Sequence, residues 1–114
     1  MTRRLVRPLL LVAAILACTA APSFAFDADA AKSLAKENDC FKCHAVNKTK
    51  KGPSYKKVAA KYEGKEAEGF DKITKNITTG PRVKLEDGTE EDHRIIDTKD
   101  PAEIKNLIEW ILAQ

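Results

Sequence analysis

The sequence predicts a small all-α domain. Three observations point there. Apolar residues recur at spacings of three and four in separate stretches. No run of alternating β-branched or aromatic residues is long enough for a strand. Gly-Pro and Asp-Pro punctuation falls between the helical stretches. The expected architecture has about four to five helices.

The first element is not part of that domain. Residues 1–25 have the layout of a secretory leader. Arg3, Arg4 and Arg7 form a basic start, Leu9 to Ala21 is apolar apart from Thr19, and Ser23-Phe24-Ala25 puts small residues at a cleavage site. The apolar stretch is thirteen residues long, against the roughly 20 that a membrane-spanning helix needs. The expectation is a cleaved signal peptide over 1–25 and one domain over 26–114, exported to a bacterial periplasm. Ile15-Leu16-Ala17-Cys18 also resembles a lipobox, so a lipid anchor at Cys18 stays as a minor alternative.

The helices then follow in order. Ala30 to Asp39 is rich in Ala, Leu and Lys, with Asp27 or Asp29 available as its cap. Gly52-Pro53 breaks the chain, and Ser54 can cap a short helix carrying Tyr55, Val58 and Tyr62. Glu68 to Thr78 carries Phe70, Ile73 and Ile77 and stops at Gly80-Pro81. Asp100-Pro101-Ala102-Glu103 offers a cap, a proline at the first helical position and a reciprocal acid. Ile104, Leu107, Ile108, Ile111 and Leu112 then form one apolar stripe, with Trp110 at its margin and expected to be half-buried. Thr79 to Lys99 reads as a polar loop of about twenty residues, a length that in a compact domain marks function or disorder.

Charge is divided unevenly. Beyond residue 25 there are seventeen bases and seventeen acids. Phe26 to Tyr62 carries nine lysines and four acids, whereas Glu86 to Gln114 carries nine acids and three bases. Such a dipole orients a charged partner on approach; the same residues also serve as ordinary solvated faces. With no net positive charge and no aromatics stacked between the lysines, a nucleic-acid partner is not expected.

Chemistry concentrates in Cys40-Phe41-Lys42-Cys43-His44, a CxxCH motif. Two thiols three residues apart can each add to one vinyl group of the same haem, and the adjacent histidine can reach under the iron. A thioredoxin-like redox pair would need a βαβ context that is missing. A zinc site from Cys40, Cys43, His44 and His93 has no second paired cluster to face the first. A Cys40–Cys43 disulfide would close a very short loop and stabilise little. No Ser/His/Asp set or phosphate loop is present, so an enzyme is not expected.

The order of helix, CxxCH, Gly-Pro, Tyr, short helices, long loop and aromatic-bearing final helix resembles a small monohaem class I cytochrome c of the bacterial c-551/c-552 type. The resemblance spans almost all of residues 26–114. It implies the small class I cytochrome c fold around one covalently bound haem, with first and last helices crossing near Leu34 and Trp110. Cys40, Cys43 and His44 match the attachment motif, implying one haem c held through Cys40 and Cys43. Pro53 matches the proline whose carbonyl accepts a hydrogen bond from the proximal histidine.

One departure matters. The family usually supplies a methionine from the long loop as second axial ligand. Here the only methionine is Met1, which leaves with the leader. His93 stands in that loop, in Glu90-Glu91-Asp92-His93-Arg94, and is the only histidine besides His44. The expected ligation is therefore His44 and His93, with Lys84, Lys99 or Asn76, or a five-coordinate iron, as alternatives. The expected function is a periplasmic one-electron carrier of lowered potential, or a subunit of a periplasmic oxidoreductase. It would act as a monomer and dock an acidic face of a redox partner through Lys42, Lys48, Lys50, Lys51, Lys56 and Lys57. The alternative is a haem protein that binds or senses CO, NO or O2 when His93 lets go.

Overall fold

A computed structural model describes residue 17 and residues 25–114. Residues 1–16 and 18–24, with the basic start, nearly all of the apolar stretch and Cys18, lie outside the described residues. Helix α1 (Ala28–Glu37) starts earlier than Ala30 because Asp27 is its cap, accepting the Ala30 N–H at 3.0 Å. A short 3-10 turn, Cys40–Lys42, follows. Helix α2 (Tyr55–Lys61) is capped by Ser54, which accepts the Lys57 N–H at 3.1 Å. Helix α3 (Glu66–Thr79) begins one turn or less before Glu68 and ends at Gly80, whose left-handed φ of 61° lets the chain turn away. Helix α4 (Pro101–Leu112) has Asp100 as its cap, accepting from Ala102 N at 2.9 Å. The reciprocal contact expected of Glu103 is absent: its carboxylate takes the Thr98 hydroxyl, and Thr98 Oγ1 accepts the Asp100 N–H at 3.1 Å.

The segment read as a loop holds regular structure. Strands β1 (Arg82–Lys84) and β2 (Glu90–Asp92) pair antiparallel, with Arg82 opposite Asp92 and Lys84 opposite Glu90. The five-residue turn uses Gly88 at φ 87°, and Asp87 Oδ1 accepts both the Thr89 N–H at 2.9 Å and its hydroxyl at 2.6 Å. Opposite charges facing across the ladder stabilise it in place of apolar alternation. Arg82 reaches both Glu90 and Asp92. A sequence reading that looks for apolar alternation therefore passes over this hairpin.

The core lies where α4 meets the other three helices. Ala31 and Ala35 of α1 and Ile108 of α4 are fully buried, and Leu107 and Ile111 lie beside them. The small alanine side chains let α1 approach α4 closely. Their start is tied by a two-way bond: Asp27 N–H donates to Asn106 Oδ1 at 2.7 Å and Asn106 Nδ2 donates to Asp27 O at 2.9 Å. Trp110 is 2% exposed, not half-buried. Because α4 is covered from several sides, the indole at the margin of the stripe is enclosed too, with Tyr55 and Phe41 edge-on at centroid distances of 5.5 and 6.5 Å. No helix among the described residues is long and apolar enough to cross a membrane.

Candidate functional site

The CxxCH motif sits where α1 gives way to the 3-10 turn. Asp39 adopts a left-handed conformation (φ 59°) that turns the chain, and the Cys43 and His44 amides both donate to Cys40 O, at 3.2 and 2.9 Å. In a 3-10 turn residues three apart eclipse, so Cys40 and Cys43 share one side. Both are free, half-buried thiols. Burial pushes the Cys40 thiol above its usual range, against a hydrogen bond with Tyr55 that works the other way. Tyr55 itself is buried, and desolvation together with Cys40 raises its phenol far above the ordinary value.

His44 is held on three sides. Its Nδ1 lies 2.7 Å from Pro53 O, its ring stacks on Tyr55 at 5.2 Å, and Gly52 packs beneath it. A Cβ built on Gly52 would lie 2.8 Å from His44 Cε1. Gly52 N–H donates to Cys43 O at 2.8 Å, and Tyr55 N–H to Ala45 O at 2.9 Å, closing the loop on itself. Burial lowers the His44 pKa; the Pro53 carbonyl opposes this, and nearby His93 adds to it. A carbonyl can only accept, so Nδ1 carries the proton and Nε2 keeps its lone pair.

His93 follows β2 directly and extends the ladder by one step, its N–H donating to Pro81 O at 2.9 Å. Its Nδ1 lies 2.9 Å from Arg94 O, so the same reasoning leaves its Nε2 free. Beyond it, Ile96 is 1% exposed and donates its N–H to Ile77 O at 3.0 Å, and the Asp97 N–H donates to Asn38 Oδ1 at 2.8 Å. Gly80 lies under this segment: a Cβ there would come within 2.8 Å of His93 O. The outcome is that the rings of His44 and His93 come close, with centroids 6.1 Å apart and planes inclined by 39°.

The fold thus brings Cys40, Cys43, His44, Pro53 and His93 to one place. Lys84 and Lys99 are exposed, while Asn76 is half-buried with an Oδ1 that has no hydrogen-bond partner. Among the described residues no group of three or more His, Cys, Asp or Glu side chains is arranged to hold a metal ion, so the Cys₂His₂ zinc set does not assemble. Surface pairs link the two halves of the site: Arg94 with Asp39 at 3.2 Å, Lys57 with Glu86 at 3.8 Å and Lys51 with Glu91 at 3.9 Å. Asn38, Asp39 and Arg94 were not singled out from the sequence. The one available signal was Asn-Asp at a helix end, where chains that turn left-handed favour Gly or Asn.

Residues 28–114 match the family model described as cytochrome c. The cytochrome c-551 of Pseudomonas denitrificans is 35% identical over 81 residues, covering 71% of this chain and 93% of that protein. The cytochrome c-551 of Allochromatium vinosum is 39% identical over 67 residues, covering 59% and 66%. The crystal structure of the class 1 cytochrome MtoD from Sideroxydans lithotrophicus ES-1 superposes with a TM-score of 0.72 at 57% identity, covering 78% of this chain and 97% of that one. The family attaches haem covalently through cysteines such as Cys40 and Cys43 and carries electrons, and this chain belongs to it as a small class I monohaem cytochrome c.

Proposed function

We propose that the protein is an exported one-electron carrier whose single haem c is bound through Cys40 and Cys43 and ligated by both His44 and His93. The observation that carries this reading is the paired histidine geometry. A metal–imidazole nitrogen bond of about 2.0–2.1 Å, the zinc value, plus about 1.1 Å from nitrogen to ring centre on each side, would put two rings that share one metal ion at most about 6.2–6.4 Å apart. The observed spacing is 6.1 Å, and each Nδ1 is tied to a backbone carbonyl so that both Nε2 atoms are available. The donor set therefore fits a haem iron. When bound, the haem supplies a one-electron iron couple.

The chain's own residues do the rest. The Pro53 and Arg94 carbonyls hold the rings in the tautomer that ligates. Histidine in place of methionine lowers the potential, because Met/His ligation raises it. Tyr55, Trp110 and Phe41 close one side of the site with apolar surface. Residues 1–25 are read as a cleaved leader and 26–114 as the mature domain, working in the periplasm. Its partner is a redox protein with an acidic face that meets the lysines around the motif, either freely or within a larger oxidoreductase.

The test is the absorption and EPR spectrum of the holoprotein, oxidised and reduced, beside His93→Ala. Low-spin wild type, with a high-spin variant that binds CO, is the expected result. Wild type that is high-spin, or a substitution without effect, removes His93 from the iron. CO binding to the unaltered ferrous protein would bring the ligand-sensing alternative forward.

A further inference from the structure

We infer that Asn38 and Asp39 form a clamp that positions His93; the inference rests on the paired-histidine reading above. The two residues immediately precede Cys40. Asn38 is a buried polar residue, 7% exposed. Its Nδ2 donates to Leu34 O at 2.9 Å, one turn back in α1, which leaves Oδ1 aimed at the Asp97 N–H at 2.8 Å. Rotating the amide would set donor against donor and acceptor against acceptor, so both bonds fix a single orientation. Asp39 is the only non-glycine residue among those described with positive φ. Aspartate is one of the few residues besides glycine that take that conformation readily, and here its carboxylate is also engaged. Its Oδ1 lies 3.2 Å from Lys42 Nζ and its Oδ2 lies 3.2 Å from Arg94 Nη1.

The two contacts bracket the chain just beyond His93, one at Arg94 and one at Asp97. The other bonds that hold this segment, to Pro81 O and Ile77 O, come from the α3–β1 side. Those hold His93 to its own half of the site. The remaining cross-links, from Lys51 and Lys57 to Glu91 and Glu86 and from Glu86 N–H to Lys51 O, reach the hairpin ahead of His93. Among the described residues, Asn38 and Asp39 supply the hydrogen bond and the ion pair that tie the chain after His93 to the stretch that leads into Cys40 and His44. They are positioning residues: they set the gap between the two rings without touching the iron.

The experiment uses the holoprotein and the variants Asn38→Ala and Asp39→Gly. Two readouts are followed: amide hydrogen exchange at residues 93–97, and the rate at which added imidazole displaces the sixth ligand. Asn38→Ala removes the acceptor of the part-buried Asp97 N–H. It is expected to speed both exchange at Ile96 and Asp97 and displacement by imidazole on the order of tenfold. Asp39→Gly relieves the backbone and removes only the carboxylate. Its effect should be a few-fold at low salt and vanish at high salt, because the Arg94 pair is exposed. If Asn38→Ala does not fold, Asp39→Gly carries the test alone. Wild-type exchange in both variants overturns the clamp, as does faster exchange with unchanged displacement in a protein whose His93 is ligated. If His93→Ala leaves the spin state unchanged, the ligation reading fails, and amide exchange at 93–97 still decides whether the clamp exists.

Discussion

Two glycines set how closely each histidine is held. Gly52 has ordinary φ, so substituting it is a matter of space alone: the new methyl would meet His44 Cε1 at 2.8 Å and Nδ1 at 3.1 Å. Gly52→Ala should push the imidazole off Pro53 O and cost about 1–3 kcal/mol, measured by guanidinium unfolding, with a shifted reduction potential. Gly80 and Gly88 separate two costs. Both have positive φ, but nothing lies within 4 Å of a Cβ at Gly88, whereas one at Gly80 meets His93 O and Ile95. Gly88→Ala should cost about 1–2 kcal/mol and Gly80→Ala clearly more, by urea unfolding of the two variants in parallel. Equal costs would mean that the chain beyond His93 gives way freely. At this scale His44 was legible from the local CxxCH motif, and its contact with Pro53 was expected from the family resemblance. Asn38 was not, because its meaning lies in an amide 59 residues away.

At the scale of elements, the sequence was read best where one residue decides. Asp27, Ser54, Gly80 and Asp100 mark helix ends by side-chain or backbone chemistry that is local. Glu103 and Trp110 were read less well, because a helix pattern does not say what arrives from other elements. The hairpin was not read, because its only half-buried strand residue is Val83 and its cohesion is ionic. Its turn makes a pH prediction. Hydrogen bonds from the Thr89 side chain and amide hold the Asp87 carboxyl below its ordinary value of 3.8. A depressed folded-state value means that the ionised form is favoured by folding. The contribution is full above pH 3.8 and is lost as pH falls through the lower native value. The Thr89 amide resonance should therefore titrate below pH 3.8, and Asp87→Asn should abolish that step. A midpoint at or above 3.8 would show that the turn does not hold the carboxylate.

For the whole molecule, charge is more evenly used than composition suggests. Lysines grouped near the motif are partly answered by acids of the hairpin, as Lys51 and Lys57 are by Glu91 and Glu86. These pairs are exposed, so breaking them should change stability by no more than about 1 kcal/mol each. Their larger effect is on encounter. Glu86→Gln with Glu91→Gln removes two negative charges beside the lysines. It should raise the rate of reaction with an acidic redox partner several-fold at low ionic strength, and leave it unchanged at high salt. Stopped-flow rates across ionic strength check this; an unchanged or slower low-salt rate would place docking on another face.

The enclosed indole has a practical consequence. Trp110 is the only tryptophan in the sequence, and it sits 5.5 Å from Tyr55, whose ring stacks on His44. A porphyrin held through His44, as proposed above, would absorb where tryptophan emits and would quench the nearby indole by energy transfer. The native holoprotein should therefore be nearly dark under ultraviolet excitation, and should brighten as the chain opens and the indole moves away from the ring. The same residue that locks α4 into the core is thus a built-in optical gauge of unfolding, one that needs no added label.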